Sequence, residues 1–208
     1  MSNELNHTIL ITGVGGQGTL LASTVIGNTA IKQDLKIRIS ETFGMSQRGG
    51  SVVTHIRVGR EIFSPITPLN TADIIIGFEP LEAYRNSLKY LKPGGKVIIN
   101  TRPININDGG ASEYPSMEKI VSTINELGGE VFTLDATAKA IQSGDAIMMN
   151  MVMLGAAASI LPFEVEDLKN TVRDTVHKNI DANLLAFENG VETIEQTMRG
   201  CKYCAEEC

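Results

Sequence analysis

Strand-like and helix-like patterns alternate over the first two thirds of the chain. Apolar runs typical of strands occur in HTILIT at residues 7–12 and then in LKIRIS, ADIIIGF, KVIIN and EVFTL. Between them lie TLLASTVIGNTAIKQD and PSMEKIVSTINELGG, in which apolar residues recur every three or four positions, as on one face of a helix. This order predicts an α/β fold in which most strands are parallel.

An interruption of the parallel order is predicted after the second strand. The segment SVVTHIRVG alternates, and one face would be formed by Val52, Thr54, Ile56 and Val58. Gly59 and Arg60 suit a tight turn into EIFSP, so residues 51–64 are predicted to form an antiparallel hairpin. The first strand, the first helix and LKIRIS would form a βαβ unit beside it.

The remaining segments are predicted to be mainly helical. One helix would start at Glu79 and Pro80, because proline favours the first helical turn, and Pro93-Gly94-Gly95 would end it. Its apolar stripe would be formed by Leu81, Tyr84, Leu88 and Leu91. From Ala136 onward no further strand pattern appears, so the C-terminal part is predicted to be helical.

Two features of the C-terminal part are predicted from its apolar positions. The methionines of MMNMVMLGAAAS are interpreted as core residues, since methionine fills helix cores far more often than it binds ligands: Met148, Met149, Met151 and Met153. After Pro162, helical spacing predicts two amphipathic helices, with apolar positions Val165, Leu168, Val172, Val176, Ile180, Leu184, Phe187, Val191 and Ile194.

These patterns predict a three-layer, Rossmann-like α/β fold. Its sheet would be mixed but mostly parallel, with an antiparallel hairpin and a helical C-terminal part. A chain of 208 residues suits one domain, which we assign to residues 1–200, followed by a cysteine-containing tail at 201–208.

Composition narrows the range of partners. The formal net charge is -6, and no basic stripe is visible, which argues against nucleic-acid binding. We find no basic segment followed by an apolar stretch at the N-terminus, and no apolar run long enough to span a membrane. All three cysteines lie in the last eight residues, so the body of the fold has no disulfide. We therefore expect a cytoplasmic protein.

A glycine-rich motif, GVGGQG at residues 13–18, lies between the first strand and the first helix. It matches G-x-G-x-x-G, in which glycines permit a tight turn and close approach of a ligand. The following helix N-terminus offers free N–H groups to a phosphate or another anion. The motif therefore predicts a site for a phosphate-bearing ligand.

A second polar loop, in SETFGMSQRGGSV, follows the second strand. Glu41 lies where an acid would bind the ribose of a dinucleotide, or it simply starts the loop. Arg48 has a planar fork suited to a phosphate or carboxylate, and Gly49 and Gly50 permit close ligand approach. The alternative is a surface arginine in a salt bridge and two glycines that only reverse the chain.

Motifs of a reactive centre are absent from the sequence. There is no G-x-S-x-G elbow, H-E-x-x-H pair or P-loop, and His7, His55 and His177 are scattered over different predicted elements. The sequence therefore indicates a binding module without a catalytic residue of its own.

Together the two loops resemble those of the gamma-type subunits of 2-oxoacid:ferredoxin oxidoreductases. The resemblance rests on GVGGQGTLLAS, ISETFGMSQRGGSVVTHIRVG and IFSP, and extends more loosely to NLLAFENGVE. Within that family, GMSQRGGSV is most similar to the loop of the indolepyruvate members. The alternatives are a pyruvate, ketoisovalerate or 2-oxoglutarate member, a stand-alone NAD(P)-binding Rossmann oxidoreductase, or a scaffold that only contacts a partner.

The resemblance implies the cofactors and partners of a heteromeric enzyme. Such an enzyme decarboxylates a 2-oxoacid on thiamine diphosphate, passes electrons through iron–sulfur clusters to ferredoxin and forms an acyl-CoA. For an indolepyruvate member the substrates would be arylpyruvates. The sequence has neither the thiamine motif nor the cluster motif of such enzymes, so the resemblance places both cofactors on a large alpha subunit. The present chain would be inactive alone and would hold no cofactor by itself.

Coenzyme A is the ligand that the resemblance implies near this chain. The resemblance implies that nine residues help form a site near coenzyme A or the subunit junction: Gly13, Gly15, Gly16, Gln17, Gly18, Gln47, Arg48, Gly49 and Gly50. Glu41 is a further candidate cofactor-binding residue, from its position after the second strand.

The C-terminal CKYCAEEC contains Cys201, Cys204 and Cys208. Three thiolates could complete a cluster or zinc site with a group from the alpha subunit, or the segment could be an exposed tail with easily oxidised thiols. Because a closed site needs a fourth ligand, we favour the tail and assign no metal ligand.

Overall fold

The computed structural model describes residues 6–43, 49–104 and 114–205. Within these ranges six strands form one sheet: β1 (His7–Val14), β2 (Lys36–Phe43), β3 (Ser51–Gly59), β4 (Ala72–Gly77), β5 (Leu91–Asn100) and β6 (Glu130–Leu134). Their order across the sheet is β2-β3-β1-β4-β5-β6. β1, β4, β5 and β6 are parallel neighbours, whereas β3 is antiparallel to both β1 and β2. The mixed, mostly parallel sheet is confirmed.

The predicted hairpin over residues 51–64 is wrong in its second strand. β3 pairs instead with β2, across the segment 44–50, and the EIFSP segment forms no strand. In EIFSP, Ile62 is buried and Phe63 is 89% exposed, and neither residue pairs with another strand. The predicted βαβ unit is present but split: β1 and β2 are both antiparallel to β3 and so parallel to each other, and β3 lies between them, so the two strands do not pair.

Helices cover both faces of the sheet. They are α1 (Thr19–Lys32), α2 (Pro80–Tyr90), α3 (Met117–Glu126), α4 (Ala136–Ser143), α5 (Met149–Ala158), α6 (Val165–Thr175) and α7 (Ile180–Ala205), with a 3-10 turn at Ala146–Met148. Ile9 and Ile11 of β1 face the core shared with α1 and α5, whereas Leu10 faces the core shared with α2 and α3. The three-layer arrangement is therefore confirmed.

The predicted apolar stripe of α2 is wrong. The buried positions of this helix include Glu82, Ala83, Asn86 and Ser87, while Leu88 is exposed. The helix ends at Tyr90, and Pro93-Gly94-Gly95 lies within β5 rather than closing the helix. The error arises because α2 buries the polar side chains of Glu82 and Asn86, which make hydrogen bonds and which an apolar count cannot detect.

The C-terminal helices pack as the apolar spacing predicts, except that Ile180 at the start of α7 is exposed. All four methionines of the α5 region are buried, and α7 crosses α5 at two glycines that allow the backbones to touch. A Cβ built on Gly155 would lie 2.0 Å from the carbonyl oxygen of Phe187, and one on Gly190 would lie 2.0 Å from that of Val152. Among the described helices, none combines the length and apolar character needed to cross a bilayer.

A buried histidine makes the stability of the fold depend on pH. His55 of β3 accepts a long hydrogen bond from the Thr67 N–H (3.4 Å) and packs edge-on against Tyr90. Burial, followed by the charge of Lys89, lowers the pKa of His55. Between pH 6.5 and the lowered pKa, His55 is protonated in the unfolded chain but mostly neutral in the folded chain. Acid therefore stabilises the unfolded state relative to the folded state.

We expect the free energy of unfolding to fall as the pH drops from 6.5 to the lowered pKa of His55. Urea titrations between pH 5 and 8 would measure this slope. His55→Asn should flatten it, whereas the exposed His177→Asn should retain it. An unchanged slope in His55→Asn would show that another group causes the dependence.

Candidate functional site

The first glycine loop, residues 13–18, connects β1 to α1 at the carboxyl edge of the parallel strands. Gly16 and Gly18 have φ values of 101° and 78°, a region that other residues rarely adopt. Gly18 is the N-cap of α1, and the first turn of this helix carries no acidic residue. The helix therefore presents its positive end and its first N–H groups at this edge, which is the geometry of an anion site.

Gln17 holds the first glycine loop in place. Its Oε1 accepts a hydrogen bond from the Val14 N–H (2.7 Å), and its Nε2 donates to the Phe78 carbonyl oxygen (3.1 Å). Gly13 is also tightly surrounded, because a Cβ there would lie 2.5 Å from Gln17 Oε1. Gly16, in contrast, has open space where a side chain would project. Gln17 and Gly13 therefore shape the loop, and Gly16 leaves room beside it.

The second loop reaches the first through a backbone hydrogen bond. The Gly15 N–H donates to the Gly50 carbonyl oxygen at 2.9 Å. Gly49, with φ of 79°, also borders open space. The structure thus brings Gly13–Gly18 and Gly49–Gly50 together, as the prediction of one shared site requires.

Three predicted site residues remain apart from this junction or outside the described ranges. Gln47 and Arg48 lie outside the described residues. Glu41 lies on the edge strand β2, which β3 separates from β1, and it accepts a hydrogen bond from Thr54 Oγ1 (3.1 Å). At about 4.8 Å per strand, the intervening β3 puts Glu41 roughly 10 Å from β1 within the sheet.

A cavity of about 590 Å³ opens beside the first glycine loop. Its apolar wall is formed by Leu21, Ile147, Met148 and Val176, and its polar wall by Gln17, Asn150, Thr175, His177, Lys178, Asn179 and Asn183, with Gly16 and Gly18 at one end. A pocket of this size, apolar with convergent polar groups, is typical of a small-molecule site.

The far wall of the cavity was missed by sequence reasoning. The turn containing His177 and Lys178 joins α6 to α7 and lies about 160 positions from the glycine loop in sequence. Asn150 was detectable in principle, because it is a polar residue within the apolar MMNMVML, and its Nδ2 approaches the Gly18 carbonyl oxygen (3.4 Å).

Two buried carboxylates at the start of α2 were also missed. Glu79 caps the helix by accepting from the Glu82 N–H (2.9 Å), and its other oxygen accepts from the Tyr114 hydroxyl (2.5 Å). Burial and the bond to Glu79 raise the pKa of Tyr114 well above its usual range, so the hydroxyl remains a donor. The predicted helix start at Glu79 and Pro80 is confirmed, but the burial of Glu79 and Glu82 has no signal in the sequence.

The helix α7 continues to Ala205, so the backbone of Cys201 and Cys204 is helical, and Cys208 lies outside the described residues. Among residues 6–42, 49–104 and 114–198, whose side chains the structure describes, no group of three or more histidine, cysteine or acidic side chains is arranged to hold a metal ion.

We expect the metal content of the anaerobically purified complex to be unchanged when residues 201–208 are deleted, because the tail has only three candidate ligands. Elemental analysis of both forms measures this. A loss of iron or zinc in stoichiometric amount on deletion would instead identify the tail as a ligand segment.

Comparison with known proteins gives a consistent result. A family model described as "Pyruvate ferredoxin/flavodoxin oxidoreductase" matches residues 8–193. The "Indolepyruvate oxidoreductase subunit IorB" of Methanothermobacter thermautotrophicus is 42% identical over 89% of this chain and 96% of its own length. The protein of that name from Thermococcus kodakarensis is 38% identical over 92% and 98%. The "Pyruvate/ketoisovalerate oxidoreductases common subunit gamma" of the latter organism is 25% identical over 86% and 94%.

Solved structures share the fold. The gamma subunit of a keto/oxoacid ferredoxin oxidoreductase from Geobacter sulfurreducens superposes with a TM-score of 0.68 at 19% identity, covering 91% of this chain and 99% of its own. A 2-oxoglutarate:ferredoxin oxidoreductase from Magnetococcus marinus, solved with 2-oxoglutarate, coenzyme A and succinyl-CoA bound, gives 0.70 at 20% identity. The match covers 93% of this chain but only 32% of that longer chain.

Proposed function

Because this chain belongs to the pyruvate ferredoxin/flavodoxin oxidoreductase family and is a subunit of a 2-oxoacid:ferredoxin oxidoreductase, we propose that it is the coenzyme A-cradling subunit of an arylpyruvate-oxidising enzyme. The substrate class is supported by the higher identity to the indolepyruvate relatives than to the pyruvate/ketoisovalerate subunit. In the proposed reaction, arylpyruvate and coenzyme A give arylacetyl-CoA and carbon dioxide, and two electrons pass to two ferredoxins with release of one proton.

The hydrogen bond from the Gly15 N–H to the Gly50 carbonyl oxygen is the observation that carries the coenzyme A proposal. It joins two glycine-containing loops at the free N-terminus of α1, where the phosphates of coenzyme A would accept backbone hydrogen bonds. The open space at Gly16 and Gly49 allows these phosphates to approach the backbone closely.

The adjoining cavity fits the remainder of such a ligand. Leu21, Met148 and Val176 offer an apolar surface, and Lys178 and His177 stand on the rim. A lysine ammonium there would attract a phosphate that the helix terminus does not reach. The cavity is therefore suited to a long, anionic and partly apolar molecule.

This chain positions a substrate, and the chemistry would occur elsewhere. Relatives that are gamma-type or beta subunits belong to multi-subunit enzymes, which implies larger partner subunits. We propose that the partner, a large alpha subunit, carries thiamine diphosphate for decarboxylation and iron–sulfur clusters for electron transfer, and that ferredoxin accepts the electrons. The present residues would bind coenzyme A and orient it towards that partner.

Reconstitution tests the proposal. Co-expression with the cognate large subunit should yield a complex that reduces ferredoxin with arylpyruvate, and only in the presence of coenzyme A. Either subunit alone should show no more than background activity. We expect kcat/KM for indolepyruvate or phenylpyruvate to exceed that for pyruvate by about 100-fold, since a pocket that accommodates an aromatic ring loses most of its contacts with a methyl group.

Two results, one on substrate preference and one on NAD dependence, would contradict the proposal. A complex that prefers pyruvate, ketoisovalerate or 2-oxoglutarate would refute the arylpyruvate assignment but keep the family. Activity of the isolated chain with NAD or NADP would refute the subunit proposal itself.

A further inference from the structure

The short segment Phe78–Glu82, between β4 and α2, holds three loops at the carboxyl edge of the sheet. The Phe78 carbonyl oxygen accepts hydrogen bonds from Gln17 Nε2 of the first glycine loop and from Asn100 Nδ2 at the end of β5, both at 3.1 Å. Glu79 Oε1 accepts from the Tyr114 hydroxyl (2.5 Å) and, more weakly, from the Ile104 N–H (3.4 Å). These contacts fix the first loop and the segment that follows β5.

Glu82 makes the corresponding contact with the second loop. Its Oε2 accepts a hydrogen bond from Ser51 Oγ (2.5 Å), and its Oε1 accepts from Arg85 Nη1 (2.8 Å). The residue is only 2% exposed, whereas the side chain of Arg85 is half exposed. A buried carboxylate is costly unless it is paired and hydrogen-bonded, so both contacts are needed to stabilise Glu82 in this position.

Ser51 is the residue at which the second loop enters β3. It forms the terminal pair of the β1–β3 ladder, opposite Val14, and it directly follows Gly50. The ends of ladders open more easily than their centres. Gly50 bonds to Gly15 through its backbone, so any movement at Ser51 also displaces the junction between the two glycine loops.

From these contacts we infer that Glu82 is a positioning residue, which acts through Ser51 to hold Gly50 against Gly15. It does not contact the ligand. The inference about loop position stands on the hydrogen bonds, and only its consequence for coenzyme A rests on the proposed function. The alternative is that Glu82 serves only as the salt-bridge partner of Arg85 within α2. In that case replacing Ser51 would not change the position of the two loops.

Amide hydrogen exchange in the assembled complex tests the position of the loops directly. Ser51→Ala and Glu82→Met, which removes the acceptor, should each accelerate exchange in peptides covering residues 13–18 and 49–53 by about tenfold, because the terminal rung then opens more often. The double variant should add little to either single one, since both break the same contact. Ser51→Thr, which retains the hydroxyl, should restore slow exchange.

Tyr114→Phe is the matched control. It removes a hydroxyl from the neighbouring buried carboxylate Glu79 and leaves the Ser51–Glu82 contact intact. Its exchange in the two peptides should stay within about twofold of wild type. Unchanged exchange in Ser51→Ala, or additive acceleration in the double variant, would overturn the positioning role whatever the ligand is.

Kinetics of the same variants separate this inference from the proposed function. If the two loops cradle coenzyme A, Ser51→Ala should raise its KM about tenfold with kcat little changed, because binding of coenzyme A is then weakened equally in the ground state and in the transition state. Faster exchange with an unchanged KM would retain the positioning role of Glu82 and refute coenzyme A binding at this edge.

Discussion

Gly190→Ala is expected to destabilise the protein by about 3 kcal/mol or more, the upper range for added volume in a packed core. The added Cβ would lie 2.0 Å from the Val152 carbonyl oxygen and 2.8 Å from the Ala156 nitrogen. These are backbone atoms of α5, so no side-chain rotation can relieve the overlap, and α7 must move away from α5. Chemical denaturation followed by circular dichroism would measure the loss.

Gly27→Ala is the matched control, because Gly27 also lies within a helix. Its Cβ would approach only the ends of Ile39 and Ile37, at 3.2 and 3.7 Å. Alanine is favoured over glycine in a helix by about 1 kcal/mol, which offsets a small adjustment of these side chains. We expect Gly27→Ala to be within about 1 kcal/mol of wild type. Equal stabilities of the two variants would show that α5 and α7 are far enough apart to admit a methyl group.

Most strands and helices of the fold could be predicted from the local pattern of apolar residues. The strands ADIIIGF and KVIIN are buried on both faces between helix layers, so apart from Asp73, Lys96 and Asn100 they are apolar and stand out in the sequence. The amphipathic helices α6 and α7 were also predictable, because a helix that is covered on one side carries a stripe of apolar residues at helical spacing.

The pairing of the strands and the burial of polar side chains could not be predicted from the sequence. The alternation of residues 51–59 identifies β3 as a strand, but its neighbours are chosen by the tertiary fold, and β3 inserts between β1 and β2. The stripe of α2 failed because Glu82 and Asn86 are buried by their hydrogen bonds, and burial of this kind has no periodic apolar signal.

The candidate site could be predicted only in part, because some of its features are local in sequence and others depend on the tertiary fold. A helix N-terminus preceded by glycines has a sequence signature, and so does the second glycine pair. The hydrogen bond between Gly15 and Gly50, by contrast, follows from the insertion of β3 beside β1. The cavity wall at Thr175–Asn179 consists of ordinary polar turn residues, and only the packing of α6 and α7 brings them to the glycine loop.

Lys178→Glu is expected to raise the KM for coenzyme A by about 30-fold in the reconstituted complex, with little effect on stability. The residue is exposed on the rim of the cavity, so its replacement leaves the core unchanged. Two unit charges 4 Å apart near a protein surface interact by about 4 kcal/mol before screening by salt, and reversal turns attraction of a phosphate into repulsion. A large part of that energy is lost to solvent and ions at an exposed site.

Salt dependence and a second lysine distinguish a specific contact from a general change of charge. The difference in KM between Lys178→Glu and wild type should shrink as ionic strength rises from about 0.05 to 0.5 M, because the screening length shortens. Lys119→Glu makes the same change of net charge on α3, across the sheet from the cavity, and should leave KM within about twofold of wild type. Equal effects of the two variants would mean that coenzyme A responds to overall charge, and that the cavity beside the glycine loop does not hold its phosphates.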